Sequence, residues 1–214
     1  MRKAKAKGVE DPQHGSARIR KAALELFTAR GYHGTSMRDL AQAVQVEPAS
    51  LYYHYPSKQE ILAALFDETM DALLQGLADA IASGTTAEHK LRAAVGFHVL
   101  FHIARQDEAF LSHSELRSLT PPNRRRVIAK RDRYETMLRE LLAEGVAAGE
   151  FEIPDIPMSS TAILVMCSGV SDWFARRGRL KPQDVAGRYA DMAMRLVGAP
   201  KPRARRARAS AAPC

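Results

Sequence analysis

The stretch from Thr35 to Lys58, TSMRDLAQAVQVEPASLYYHYPSK, constrains this chain more tightly than any other. Pro48 and Pro56 fence the window Ala49 to Tyr55, where only about two helical turns fit, because proline is tolerated as a first helical residue and stops the helix later on. Upstream, Ser36 followed three residues later by Asp39 is a capping-box pattern, with Thr35 the other available cap. Met37, Leu40, Ala41 and Val44 then recur at i, i+3, i+4 and i+7, which predicts a helix with one buried face. Two short helices joined by a tight turn at Gln45-Val46 form the layout of a helix-turn-helix.

The second of these helices has an unusual surface. With Leu51 turned inward beside Val46 and Tyr55, helical spacing points Ala49, Ser50, Tyr52 and Tyr53 outward. Rings and hydroxyls exposed together suit a groove better than bulk water. Ser57 with Glu60 predicts a full capping box at the start of the next helix, with Lys58 in its first turn, where a helix N-terminus beside a lysine favours a phosphate. Spacing alone is also compatible with an ordinary αα corner in a helical domain.

The residues themselves narrow the choice. Positions 27–58, FTARGYHGTSMRDLAQAVQVEPASLYYHYPSK, resemble the N-terminal domain of TetR-type transcriptional repressors, in which RGYxxTS opens the second helix and LYYHFxSK closes the recognition helix. The resemblance implies an all-α protein of about nine helices: a three-helix DNA-binding domain, then a helical effector-binding and dimerisation domain. It puts Arg38, Glu47, Ala49 and Ser50 near bases, and Thr35, Tyr52, Tyr53, His54 and Lys58 on the DNA backbone, with Ser36 and Pro48 beside them. Two positions depart from the pattern. Gln45 stands at the turn position usually held by glycine, where φ is positive, and Pro48 replaces a frequently basic residue, which implies fewer phosphate contacts.

Charge adds a second constraint through its location. The 214 residues carry a formal net charge of +8, but residues 1–14 hold +2 of it and residues 199–214 hold +5, leaving +1 for everything between. Both ends, rich in Ala, Pro, Arg and Lys, are expected to be disordered basic segments, an arm over 1–14 and a tail over 199–214. Such segments add salt-sensitive affinity for DNA or are simply solvated. Two cysteines, Cys167 in an apolar run and Cys214 at the last position, suggest a reducing, cytoplasmic setting. The basic N-terminus has no apolar segment behind it, and the longest apolar run, Ala162 to Cys167, is too short to span a bilayer, so neither export nor a membrane partner is expected.

Helical periodicity continues to residue 198. A first helix is expected from about Ser16 to Arg30 and a long one from Ser57 to about Ser83, its stripe of Leu62, Leu65, Phe66, Thr69, Leu73, Leu77 and Ile81 joining the DNA-binding domain (15–60) to the effector-binding and dimerisation domain (61–198). Beyond the break at Ser83 to Thr86, helices are predicted over Glu88 to Arg105, Glu108 to Leu119, Pro122 to Ala148, Pro157 to Arg177 and Pro182 to Val197, with no period-two strand.

The second half resembles one branch of the family more particularly. RDRYE at Arg131 to Glu135, GVAAGEF at Gly145 to Phe151 and SDWFARRGRLKP at Ser171 to Pro182 are similar to the branch that represses fatty-acid and steroid breakdown, which implies an acyl-CoA effector. An apolar tunnel is expected from Phe97, Leu100, Phe101, Phe110, Met137, Leu141, Met166, Val170 and Trp173, with His98, His102, Arg131 and Tyr134 as its polar contacts and the run Arg124, Arg125, Arg126, Lys130, Arg131 and Arg133 as a cationic place for phosphates. Such stripes are also what an ordinary core and a solvated face look like. An aromatic or drug-like effector, or a DNA-binding protein without an effector, remains open. His98 and His102 share a helical face as metal ligands do, but no third ligand lies near, so no metal and no cofactor is expected. Cys167 reads as a buried structural thiol, with a redox role the alternative. Enzymatic motifs are lacking: no nucleophile elbow, phosphate-cradling glycine loop or metal-ligand pattern occurs. The last two helices, with Val185, Tyr189, Met192 and Leu196 beside small residues, are expected to form a four-helix homodimer interface that presents two recognition helices to a near-palindromic double-stranded operator.

Overall fold

A computed structural model describes the backbone of residues 12–175 and 177–198, with side chains from Gly15 onward. The predicted C-terminal tail, and all but the last three positions of the predicted arm, lie outside the described residues. The helices are α1 (Pro12–Arg30), α2 (Met37–Ala43), α3 (Pro48–His54), α4 (Lys58–Ala82), α5 (Ala87–Ala104), α6 (Gln106–Ser114), α7 (Pro121–Ala147), α8 (Ile156–Ser168), α9 (Val170–Trp173) and α10 (Pro182–Leu196), with a 3₁₀ turn at Leu116–Ser118 between α6 and α7. Taking α8 and α9 as one helix broken at Gly169, the described residues form nine helices and no strand. The chain is all-α, as its periodicity predicts.

Three elements differ from expectation. The helix expected over Glu108 to Leu119 is split into α6, which ends at Ser114, and the 3₁₀ turn. Helix α1 starts at Pro12, a favoured first helical residue, rather than near Ser16. The single helix expected over Pro157 to Arg177 ends at Ser168, resumes for one turn and becomes extended at Phe174. Tertiary bonds select this break: the Gln106 amide of α6 donates to the carbonyls of Ser171 (3.0 Å) and Phe174 (2.9 Å), satisfying groups that a continuous helix would have used internally.

Helices α1 to α3 and the first turns of α4 share a core of Ile19, Ala23, Phe27, Leu40, Leu51, Ile61 and Leu62, all essentially inaccessible. Leu51 is the apolar anchor of α3, and its truncation to Ala would cost roughly 2–5 kcal/mol. The turn before α3 forms a Schellman motif: Val46 N–H bonds Ala41 O at 3.0 Å, Gln45 N–H bonds Gln42 O at 3.1 Å, and Gln45 has φ 57°. Arg18 of α1 donates to the Val44 carbonyl at 2.8 Å, holding the same turn from beneath.

Helix α4 runs out of this head into a body made by α5 to α10. There α10 packs along α5, burying Val185, Ala186, Ala190, Ala193 and Met194, while α4 lies between α5 and α7. A second connection runs through the corner between α6 and α7. Tyr32 N–H donates to Glu115 (3.1 Å), and Gln59 at the start of α4 donates to Ser118 O (2.8 Å) and Tyr32 Oη (2.9 Å) while accepting from Thr120 N–H (2.8 Å). Head and body are therefore joined by a continuous helix and by a hydrogen-bonded corner.

Candidate operator face and ligand cavity

The capping box of α2 forms in full: Ser36 accepts from Asp39 N–H, and the Asp39 carboxylate accepts from Ser36 N–H at 2.7 Å. The Ser36 hydroxyl, which also donates to this carboxylate, and then the Ser36 N–H hold the Asp39 carboxyl below its ordinary pKa. At α4 only the Ser57 half of the expected box is made, with Ser57 Oγ accepting from Glu60 N–H. Beyond these caps, Arg38, Glu47, Pro48, Ala49, Ser50, Tyr52 and Tyr53 lie exposed on the outer surface of α2 and α3, with Tyr53 80% accessible. Two phenol rings left in solvent, on a helix held by a single buried leucine, form a surface shaped for something other than the head's own core.

Three residues assigned to the DNA backbone are set back from this face. Thr35 is buried, and its hydroxyl donates to Gly31 O at 3.1 Å. The Lys58 ammonium donates to the carbonyls of Tyr32 (2.7 Å) and Thr35 (2.6 Å) and sits 4.2 Å from the Tyr32 ring centroid. Burial lowers its pKa despite Asp39 and Glu115 nearby. The charge expected to face a phosphate instead ties the loop after α1 to the start of α4. His54 is half-buried over Gly15 of α1, its ring within 2.7 Å of where a Cβ would stand.

The body contains a cavity of about 230 Å³ lined by α4, α5, α6, α7 and α8. Helical stripes build it: Thr69, Met70 and Leu73 from α4, His98, Phe101 and His102 from α5, Ala109, Ser112 and His113 from α6, Arg131, Tyr134 and Glu135 from α7, and Leu164 and Ser168 from α8. Five predicted residues meet here: His98, Phe101, His102, Arg131 and Tyr134. The other expected lining residues face elsewhere. Phe97 turns onto Gly76 of α4, Leu100 and Met166 pack against the core, and Val170 is buried outside the cavity. Met137 and Leu141 border a separate groove between α4 and α7, Phe110 is 52% exposed, and Trp173 donates to Tyr189 Oη of α10. Apolar character marks a stripe but not which neighbour it meets. The signal for the missed residues is polarity inside a stripe, as with Thr69 on α4.

The polar groups are ordered. His98 Nδ1 lies 2.7 Å from Tyr134 Oη and its Nε2 3.0 Å from Ser168 Oγ, while His102 stacks on it with ring centroids 4.3 Å apart. His102 Nδ1 faces the His98 carbonyl at 3.0 Å and must donate to it, so a neutral His102 keeps a lone pair on Nε2 for a donor. Burial lowers the pKa of His98 well below the ordinary histidine value, and the neighbouring His102 adds to the shift. Burial also lowers His102 itself and raises Tyr134. The pair is thus neutral and hydrogen-bonded. Cys167, behind this wall, is buried with its thiol pushed up to about 12, far from the thiolate a redox sensor needs. Of the cationic cluster, Arg126 and Lys130 are paired with Asp67, and Lys130 also with Asp71. Arg131 lines the cavity, donating to Ser112 O at 2.8 Å. Among the described residues no group of three or more His, Cys, Asp or Glu is placed to hold a metal ion, and no helix is long and apolar enough to cross a membrane.

Known proteins resemble this chain over both the head and the body. Residues 19–65 match the model for bacterial regulatory proteins of the tetR family, and residues 84–197 match the tetracyclin repressor-like C-terminal domain. The fatty acid metabolism regulator protein of Bacillus subtilis (strain 168) is 26% identical over 131 residues, 61% of this chain and 68% of that protein. A tetR-family regulatory protein from Rhodococcus RHA1 is 31% identical, with a TM-score of 0.81 over 86% of this chain and 97% of that one. AibR, crystallised with isovaleryl coenzyme A and operator DNA, is 25% identical, with a TM-score of 0.75 over 86% of this chain and 98% of that one. This chain therefore belongs to the TetR family, whose members are dimeric DNA-binding transcriptional regulators rather than enzymes, and it is related to regulators of fatty-acid metabolism.

Proposed function

We propose that the protein is a cytoplasmic, ligand-responsive repressor, released from a near-palindromic operator by a small, largely apolar effector, with an acyl-CoA thioester from lipid or steroid breakdown as the leading candidate. The observation that carries this reading is the cavity itself, because α4 supplies Thr69, Met70 and Leu73 to its wall and Lys58 and Gln59 to the base of the head. A ligand that displaces α4 changes the position of the recognition helices without touching them. It must bind the displaced state more tightly, since only differential affinity moves the equilibrium. The similarity to a fatty-acid metabolism regulator and to a structure holding isovaleryl coenzyme A supports a thioester.

The homodimer is assigned to α8 and α10. Their outer faces expose Met158 (66%), Val165 (68%), Met192 (47%) and Leu196 (38%), an apolar surface with no internal partner. Val185, expected on that surface, packs instead inside the subunit against α5.

The test is an operator-binding titration with DNA upstream of the protein's own gene, with and without acyl-CoA thioesters of varied chain and ring structure. Release by one thioester class is the expected result; operator binding that no thioester disturbs removes acyl-CoA from the reading. An aromatic effector is the second reading, favoured by the stacked His98 and His102 rings and Phe101 in one wall.

A further inference from the structure

We propose that Arg131 is the anion-binding group of the cavity, so that the effector is an apolar molecule carrying a carboxylate or a phosphate. This rests on the ligand-responsive reading above and names the chemistry its ligand must have. Several other basic side chains keep acidic company. Arg20 faces Glu68, Arg92 faces Glu88 and Asp191, Lys90 faces Glu144, Arg126 and Lys130 face Asp67, and Arg139 faces Glu135. Arg131 is half-buried in the cavity wall, and the bond described for it goes to a backbone carbonyl, Ser112 O, at 2.8 Å. A guanidinium has five N–H donors in a fork suited to carboxylate or phosphate oxygens, and one carbonyl uses little of that capacity.

The one carboxylate lining the cavity is already engaged. Glu135 accepts from Arg139 at 2.6 Å and from Thr161 at 3.1 Å. Burial lowers the Arg131 pKa with no opposing charge to offset it, whereas the salt-bridged Arg20, Arg92 and Arg126 are all raised. A cation withdrawn from water without a counter-charge is unfavourable unless something supplies the charge. The surrounding wall of Met70, Leu73, Phe101 and Leu164 gives the rest of such a ligand an apolar seat. An acid offers its carboxylate and a coenzyme A thioester its phosphate; the chemistry at the guanidinium is the same.

Calorimetric titration of the full chain and of R131M with octanoate, octanoyl-CoA, benzoate and neutral octan-1-ol separates these sources. At least one anionic probe is expected to bind the wild type and to lose about tenfold or more in R131M, while octan-1-ol is not weakened. Dependence with octanoate assigns a carboxylate, and dependence with octanoyl-CoA alone assigns a phosphate. Dependence with benzoate alone keeps the anion site and removes the acyl reading. Anionic probes that bind both proteins equally, or that do not bind the wild type at all, overturn the proposal. The ligand-free thermal midpoint provides the second readout. R131M is expected to melt at or above the wild type, since it loses an uncompensated charge. A fall of more than a few degrees overturns the proposal, because a structural tie to Ser112 would then account for the residue.

Discussion

Gln45 holds a backbone conformation that its own side chain opposes. At φ 57° a residue with a Cβ pays about 1–2 kcal/mol relative to glycine, partly offset by the greater freedom glycine loses on folding. Gln45→Gly is therefore expected to raise stability by about 0.5–1 kcal/mol in urea unfolding; a destabilised variant would show that the glutamine side chain contributes something the turn geometry does not. The two kinds of residue near the operator face part in the same experiment. Tyr53→Ala should weaken operator binding on the order of tenfold and leave the unfolding midpoint in place, because the ring touches little of the head. Lys58→Met should instead cost roughly 1–3 kcal/mol of stability by stranding the Tyr32 and Thr35 carbonyls. If Lys58→Met unfolds like the wild type, the assignment of that charge to the interior is wrong. His98 makes a prediction in pH. Its folded pKa lies well below the ordinary 6.5, so below pH 6.5 the unfolded chain binds a proton that the folded one refuses. Stability should decline on acidification from that point by up to about 1.4 kcal/mol per pH unit, and not above it. His102 acts with the same sign. Asp67, whose burial is outweighed by Arg126 and Lys130 so that its pKa lies below 3.8, loses its contribution only at lower pH. Urea midpoints measured between pH 7.5 and 5 should slope less in His98→Asn, and an unchanged slope would exclude His98 as the source.

Helices communicate here through their ends and their closest approaches. The corner between α6 and α7 grips the head through Gln59, whose amide spans Tyr32, Ser118 and Thr120. Helix α6 carries Ser112 and His113 into the cavity wall and, just beyond its end, Glu115 to Tyr32 N–H, so a ligand-driven shift of α6 reaches the same loop that α4 supports. Gln59→Ala should keep the fold while requiring several-fold more effector to release the operator, because one of the routes to the head is cut. An unaltered effector response would show that this corner does not carry the signal.

The proposed dimer rests on the exposed apolar faces of α8 and α10. Val165 lies exposed on α8 in register with Met158, and Met192 and Leu196 are exposed on α10. Val165→Glu should convert the dimer to folded monomers in analytical ultracentrifugation. Operator affinity should fall by roughly 10²-fold or more, since each half-site is then bound without the other. A dimeric Val165→Glu would relocate the interface.

The all-α class, the head with its two short helices and the long α4 are legible along the chain, because caps, prolines and a 3.6-residue period are local signals read within one or two turns. Even the strained turn is visible there, as a glutamine where glycine is at home. Which stripe meets which neighbour is not local. Leu141 and Tyr134 are both apolar-periodic positions on α7, yet one borders an outer groove and the other the cavity, because the rotation of α7 against α4 and α5 is set by the packing of every helix at once. The same holds for charge: Lys58 at a helix start looks like a phosphate ligand until the loop from Tyr32 to Thr35 folds over it, and Arg131 looks like one member of a basic run until Asp67 and Asp71 take its neighbours. Periodicity determines what a helix can bury; only the assembled helices determine against what, and so which side chains are left facing a cavity.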